Sequence, residues 1–348
     1  MIANISTASL QLAAKSSIAT TQARLAEVVA ESSSGRHHDV GLVLGSGIAR
    51  VIELRTTSDE IDTIARTNGL LASRLSTTQS ALSEIAAMAD DFVTELIAYR
   101  EAGADRALLV ADATSRLEQL TQLLATTSNG AYVFGGDNTT VSPLTGSLSD
   151  PLGPARAGTQ TTFAGAFGFA SNDPLAAGIT PAQLSAYLDG PFAAQFTPPA
   201  WSAAISAAGA EPERNRISLN EVVTTPVSAN SDGIRELVAS LLAITDSGTE
   251  ALSATTFDTL IDSAAKRAGS ASDHLTSSQS ILGLVQQRVA QADTRLTTQK
   301  GVLERQLGTL ENVDLAEASL RLNILSTKLQ TSYAATVRIQ SLSILNYL

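Results

Sequence analysis

Ten prolines occur in this chain of 348 residues, and every one falls between Pro143 and Pro226. Proline lacks the backbone N–H that a helix needs and costs about 3 kcal/mol in a helix interior. Its confinement leaves two long flanks that can be helical throughout and sets apart 141–229 as an insert of another kind. The single tryptophan, Trp201, and five of the eight phenylalanines (Phe163, Phe167, Phe169, Phe192 and Phe196) share that window. Within it, Arg214–Asn220 and Val222–Thr225, the second β-branched throughout, predict strands. Phe163, Phe167 and Phe169 are expected to pack with Trp201 in a small β-rich core, and the alanine-rich run Trp201–Ala210 can add a helix.

The flanks carry heptad spacing. From Ile61, steps of three and four run through Ile64, Asn68, Leu71, Leu75, Thr78, Leu82, Ile85, Ala89 and Phe92 to Leu96. Gly103 offers a stop and Asp105 a cap for a next helix, whose stripe Val110, Ala113, Leu117, Leu120, Leu124 is expected to close at Asn129-Gly130. Asp232 can cap a short helix carrying Ile234, Leu237 and Leu241. The longest seam runs from Phe257 to Leu310 through Leu275, Leu282, Val285, Val289, Leu296 and Leu303, and would make one helix roughly 80 Å long. Repeats of this kind bury helices against each other, so Leu71, Leu75, Leu82, Ile85, Leu282, Val285, Val289 and Leu296 are the predicted bundle core.

Phase is lost between Glu31 and Gly47 and again at Asn312-Val313-Asp314, which separates a helix at each end of the chain. The first has a weak stripe of Ile5, Ser9, Leu12, Ser16, Ala19, Ala23 and Ala26. The second carries Leu322, Leu325 and Leu329 and ends in Ile339, Leu342, Leu345 and Leu348. Small side chains bury little area at about 25 cal/mol per Å², so these helices are marginal alone and are expected to be ordered mainly by assembly. The candidate assembly residues are Ile5, Leu12, Ala19, Leu25, Leu322, Leu325, Leu329, Ile339, Leu342, Leu345 and Leu348. The predicted fold is mainly α: a long-helix coiled-coil or bundle core formed by both termini, with a smaller β-rich inserted outer domain. Its divisions are 1–45 with 313–348 for assembly, 46–140 with 230–312 for the bundle, and 141–229 for the insert.

Composition excludes several kinds of chemistry. Lys and Arg number 23 against 34 Asp and Glu, a net charge of −11, and aromatics reach only 4%. Nucleic-acid binding, which wants basic stripes or stacking platforms, is disfavoured. No apolar run reaches the roughly 18 residues of a membrane span, and Met1-Ile2-Ala3-Asn4 does not open an ordinary secretory leader. The absence of cysteine rules out disulfides and thiolate sites. His37-His38 beside Asp39 diverge in direction and predict a solvated loop, not a metal site, and His274 is expected at the surface. Gly41–Gly47 has Arg50 where a third phosphate-loop glycine would stand and lacks the Lys-Ser/Thr pair, so a hinge is expected. No cofactor, metal or catalytic group is expected.

Certain segments resemble a known family. The proline-free N-terminal helix ending in Ser33-Ser34-Gly35-Arg36, and the ending Ser341-Leu342-Ser343-Ile344-Leu345-Asn346-Tyr347-Leu348, are similar to the two ends of the flagellin superfamily. Tyr132-Val133-Phe134-Gly135-Gly136-Asp137-Asn138-Thr139 resembles the Tyr-Leu-Phe-Gly-Gly-Thr region of its hook–filament junction branch. Arg216–Val223 with Asp232-Gly233-Ile234 is similar to the return from that branch's outer domain. After Ser-Gly-Arg, His37–Leu42 replaces a commonly acidic element. The resemblance implies a structural subunit of the bacterial flagellum, an adaptor at the hook–filament junction. It implies secretion unfolded through the flagellar type III channel, self-association in a ring, and contact with another hook-associated protein and with flagellin. A dedicated export chaperone is implied as well. Filament flagellin is the nearest alternative; a hydrolase or a membrane-active secreted coiled-coil protein represents other classes.

Overall fold

The structure, a computed structural model, describes the backbone of residues 7–102 and 105–345, with side chains for residues 9, 12–100 and 105–338. Ile5, Gly103 and Leu348 lie outside the described residues. Ten α-helices and two small hairpins are present among those described: α1 Thr7–Ser34, α2 Val40–Leu44, α3 Ile48–Ala102, α4 Arg106–Leu124, β1 Thr127–Ser128, β2 Ala131–Tyr132, α5 Pro154–Phe167, α6 Pro181–Tyr187, α7 Pro198–Ala204, β3 Glu213–Ser218, β4 Glu221–Thr225, α8 Asp232–Asp246, α9 Ala254–Glu311 and α10 Leu315–Leu345. The fold is mainly α. Two compact units form, Met1–Asp62 with Thr297–Leu348, and Thr63–Leu296.

In the unit 63–296, α3 and α9 pair as antiparallel partners. Asn68 Nδ2 donates to Asp293 Oδ1 at 2.7 Å, Gln279 Nε2 to the Leu82 carbonyl at 3.3 Å, and Ser272 Oγ to Asp90 Oδ1 at 2.5 Å. Arg100 reaches Asp262 at 2.5 Å farther along. Between these polar rungs Leu71, Leu75, Leu82, Ile85, Leu282, Val285, Val289 and Leu296 are all buried. One stretch of the seam has a third member. Ile217 and Val223 of the β3–β4 hairpin join Leu71, Leu75, Leu282, Val285, Val289 and Ala292 in a separate hydrophobic cluster. A register irregularity between Arg216 and Ser218 interrupts the hairpin, and the Ile217 carbonyl there accepts from Asn68 Nδ2 at 2.9 Å. Arg74 then grips Glu213 at 2.5 Å, while Glu221 receives Arg288 at 3.0 Å and Arg295 at 2.6 Å.

The larger core lies among α3, α4, α8, the first half of α9 and the insert. Asp105 caps α4, its side chain accepting from the Ala107 N–H at 3.0 Å. The helix ends at Leu124 rather than at Asn129-Gly130. Those two residues instead form the tip of the β1–β2 hairpin, with φ of 52° and 79°, the left-handed pair a tight primed turn requires. Ser231, not Asp232, is the cap residue of α8. From Leu237 to Ile244 every residue of this helix is buried, Ser240 included, as a helix segment surrounded by others must be.

The expectation of a β-rich insert is corrected. Apart from β3–β4 its regular structure is helical, because several of its prolines start helices instead of preventing them. Pro154, Pro181 and Pro198 stand in the first turns of α5, α6 and α7, and Pro174 in that of a 3-10 turn, Pro174–Gly178. In a first turn the missing N–H has no partner to lose and the fixed φ is already helical. Thr180 adds a reciprocal capping box with Gln183 before α6. The aromatics do cluster, but as helix-borne rings in series. Phe163 meets Tyr187 at 5.5 Å between centroids, Tyr187 meets Phe192 at 5.7 Å, Phe192 meets Phe196 at 5.1 Å, and Phe196 meets Trp201 at 6.3 Å. Burial raises the Tyr187 phenol far above its usual range. Buried Asp246 ties the series to α8, accepting from Thr159 Oγ1 and Arg156 Nη2, each at 2.6 Å. The insert, expected as a separate outer domain, therefore shares one continuous core with the helices that flank it.

Replacing Leu75 or Leu282 by Ala should cost about 2–5 kcal/mol through lost burial and the cavity left behind. Urea unfolding followed by helical circular dichroism checks this; a change under 0.5 kcal/mol would contradict the packing described.

Candidate assembly surface

In the unit containing both chain ends, one helix pair and one corner bring those ends together. Helices α1 and α10 pack together and run antiparallel: Gln22 Nε2 donates to the Tyr333 hydroxyl at 2.6 Å, and Arg321 reaches Glu31 at 3.7 Å. On α1 the inward residues are Ala14, Ile18, Thr21, Leu25 and Val28, and on α10 they are Ala318, Leu322, Leu325 and Leu329. Of the candidate residues, Leu25, Leu322, Leu325 and Leu329 therefore meet in this seam. Leu12 and Ala19 do not, and Leu12 is 70% exposed. The weak stripe read along α1 lies on its outer face, displaced from the inner stripe by two residues, about 200° of helix. Alanine, serine and threonine surround both stripes, so hydrophobicity alone does not choose between them. Ile339, Leu342 and Leu345 lie in the last turns of α10, beyond the described side chains.

The corner sits where α1 ends and α10 begins. Gly35, at a φ of 69°, turns the chain out of α1. Arg36 pairs with Asn312 in an antiparallel bridge. The Val313 N–H donates to the Gly35 carbonyl at 3.0 Å, and the His37 N–H to the Glu311 carbonyl at 2.9 Å. Two carboxylates fill the corner. Glu311, only 2% exposed, takes Arg55 at 2.8 Å and Arg36 at 3.5 Å. Its hydrogen bond and charge hold the Arg55 guanidinium above the usual arginine range. Glu31 accepts from the His38 N–H at 3.1 Å and lies 3.6 Å from His37 Nδ1. His37 is thus half-buried against Glu31 instead of solvated, whereas His38 is exposed. Neither glutamate was singled out from the sequence. The available signal was a carboxylate at each point where the heptad phase fails.

The glycine-rich run beyond this corner is short helix and turn: α2, capped by Asp39 accepting from the Leu42 N–H at 2.8 Å, then a 3-10 turn over Gly45–Gly47. It lifts Leu42 and Val43 into solvent. Val29, Ile52, Leu315, Leu320, Ile324 and Val337 of the same unit are exposed as well. Among the described residues no cluster of three or more His, Asp and Glu is arranged for a metal, and no helix is long and apolar enough to cross a membrane.

A second feature lies at the root of the insert in the unit 63–296. Val133 and Phe134 are buried, and the Phe134 carbonyl accepts from the Ala229 N–H at 2.9 Å. The Gly135 carbonyl accepts from Gly209 N–H at 2.9 Å, and Asp137 N–H donates to Glu211 O at 3.1 Å. Two glycines permit this closeness. A Cβ on Gly135 would stand 2.5 Å from the Asn138 carbonyl, and one on Gly136, at φ 62°, would stand 2.8 Å from the Gly209 carbonyl. Tyr132–Asn138 is therefore a backbone collar that binds the outgoing strand of the insert to its return.

The two ends of the chain thus form one antiparallel helix pair with large apolar side chains exposed beside it. Residues 5–139 match the bacterial flagellin N-terminal helical region, and residues 265–348 match its C-terminal helical region. The chain belongs to the bacterial flagellin family. No curated protein matches it beyond that. The family is structural, self-assembles into flagellar polymers and is exported to form the extracellular flagellum.

Glu311→Gln should loosen the corner by about 1–3 kcal/mol, the worth of charge-assisted hydrogen bonds, without lowering the stability of residues 63–296. Hydrogen exchange read peptide by peptide checks this: protection should fall in α1 and α10 and hold in α4 and α8.

Proposed function

We propose that this flagellar subunit acts as the adaptor at the hook–filament junction, a ring-forming member of the family that joins to another hook-associated protein on one side and flagellin on the other. The observation that carries the reading is the collar at Tyr132–Asn138, whose sequence resembles the Tyr-Leu-Phe-Gly-Gly-Thr element of the junction branch. A compact insert supports it: bound at its root and sharing the core of its flanks, it suits a piece that transmits torque between two polymers of unlike stiffness. The terminal helices and the exposed apolar side chains beside them supply the self-association. A dedicated chaperone would cover those surfaces before export. The candidate contacts are the outer face with Leu12 and Ala19 and the terminal residues Ile5, Ile339, Leu342, Leu345 and Leu348. Leu25, Leu322, Leu325 and Leu329 set the helix pair that presents them.

Filament flagellin is the second reading, favoured by the same terminal matches. Polymerisation separates the two. The purified chain should form short oligomers or rings, and growth into long filaments when salt is added would select the filament reading. A deletion strain should carry hooks without stably attached filaments, and normal filaments would refute the adaptor role.

Removing Ile339–Leu348 should abolish assembly while the unit 63–296 keeps its helicity and cooperative melting. Circular dichroism and sedimentation measured on the same sample check both halves of that expectation.

A further inference from the structure

Charge is divided unevenly along this chain. The unit Met1–Asp62 with Thr297–Leu348 holds 10 Lys and Arg against 11 Asp and Glu, whereas Thr63–Leu296 holds 13 against 23. Within the acidic unit the signs are segregated again. One face, formed by α3 and α4, has a cleft of about 440 Å³ lined by Glu84, Asp91, Arg116, Gln119 and Gln122 over a floor of Ala87, Met88 and Leu123. Arg116 does not neutralise it, because Glu95 and Asp112 already occupy that guanidinium, each at 2.6 Å. Carboxylates crowd there enough that Glu95 is held above the usual range, by burial first and by Asp112, against the pull of Arg116.

A second site on the same unit has the opposite character. Between β4 and α9 runs a groove of about 440 Å³, lined by Thr224, Pro226, Ile281, Leu284, Val285 and Arg288. Its rim is apolar and exposed: Leu284 is 61% accessible, Val222 48% and Ile281 45%. Arg288 lines it, Arg214 stands across the hairpin from Thr224 and Arg216 across from Val222, and Glu221 is the one carboxylate paired with both Arg288 and Arg295. So four arginines against one paired carboxylate stand at this exposed apolar groove, on a body that is acidic as a whole.

We propose that the basic groove of β4 and α9 on one copy docks against the acidic cleft of α3 and α4 on the next. The proposal rests on the self-association reading above and names the surfaces that carry it in this unit. Two copies of a body bearing ten excess negative charges repel through like faces, which disfavours a symmetric pairing of cleft with cleft. Opposite faces attract, and Leu284 and Ile281 then cover the apolar floor of Met88 and Leu123. Such a contact joins unlike patches, so it repeats in one direction and generates a ring where the rotation closes. Charge complementarity of this kind fixes orientation and register more than raw affinity.

The test uses the full chain and two charge reversals, E84R/D91R in the cleft and R214E/R288E beside the groove. Sedimentation at moderate salt should show each variant assembling at least tenfold more weakly than wild type, with unchanged helicity. An equimolar mixture should assemble again, since each reversed cleft now meets a reversed groove. Assembly of either variant at the wild-type level, or failure of the mixture with both variants folded, would overturn the proposal. As a measurement independent of charge, the cysteine-free chain allows A87C and L284C to be combined; oxidation of assembled protein should give a disulfide-linked ladder that neither single variant gives. Assembly without a ladder refutes these surfaces, whereas a wild-type chain that never associates refutes the self-association reading itself.

Discussion

Each long helix here depends on a partner from the far end of the chain. Helix α1 is covered by α10, and α3 by α9, so no flank can complete its fold before the other flank exists. The register of the second pair is set by hydrogen bonds at its rungs. From Asn68 to Arg100 along α3 is 32 residues, and the partners step back 31 along α9, from Asp293 to Asp262. A seam that keeps step over that distance means two heptad repeats of equal period, antiparallel, with no insertion on either side. Asn68 stands inside it as a buried polar group that bonds both to α9 and to the β3–β4 hairpin. One side chain thereby ties three segments into a single alignment, the best-attested use of a polar residue in an apolar seam.

Long-range pairing of this kind has a cost in loop closure, though one that grows only slowly with loop length, by about 0.6 kcal/mol per doubling. What the long loop contains then matters more than its length. Here the loop is the insert, and it is not slack. Its rings, from Phe163 to Trp201, pack in series into the same core that α3, α4 and α9 complete. The collar at Gly135 and Gly136 brings the loop's two ends within backbone hydrogen-bonding distance. The insert thus holds the two flanks together.

How much of this could be read from the residues depends on side-chain size. Leu71, Leu75, Leu282 and Val289 stand out against polar neighbours, so their phase was legible and all four are buried. Along α1 the contrast between stripe and background is too small, and the inner face of Ile18, Thr21, Leu25 and Val28 was hidden by an outer one of nearly equal hydrophobicity. The breaks at Gly35 and Asn312 were visible, but not that Glu31 and Glu311 would turn inward there, since pairing with Arg55 and Arg321 is a tertiary fact. The insert misled for a different reason. Proline opposes a helix only after its first turn, and a sequence pattern does not by itself reveal which turn a proline will occupy. Besides the alanine-rich run from Trp201, Thr180-Pro181-Ala182-Gln183, a capping box around a proline, was a local signal that pointed to helix.

The division of charge follows from how close the copies of such a subunit must come. Where helices from neighbouring copies pack side by side, like charges are brought within a few ångströms and out of bulk water, and the repulsion per pair rises as the local dielectric falls. Assembly through the chain ends, as proposed above, asks for a unit close to neutral, and the unit formed by those ends carries 10 basic against 11 acidic residues. Its hydroxyls are treated similarly: Thr20, Thr21, Thr327 and Thr336 each donate to the carbonyl one helical turn back, which satisfies the polar group within its own helix. Such a surface asks little of water and yields it readily to a neighbour. The excess acid is placed instead on the unit 63–296, where water and salt can screen it. On the docking proposed above, that excess acid would keep unassembled copies apart except through the groove of β4 and α9.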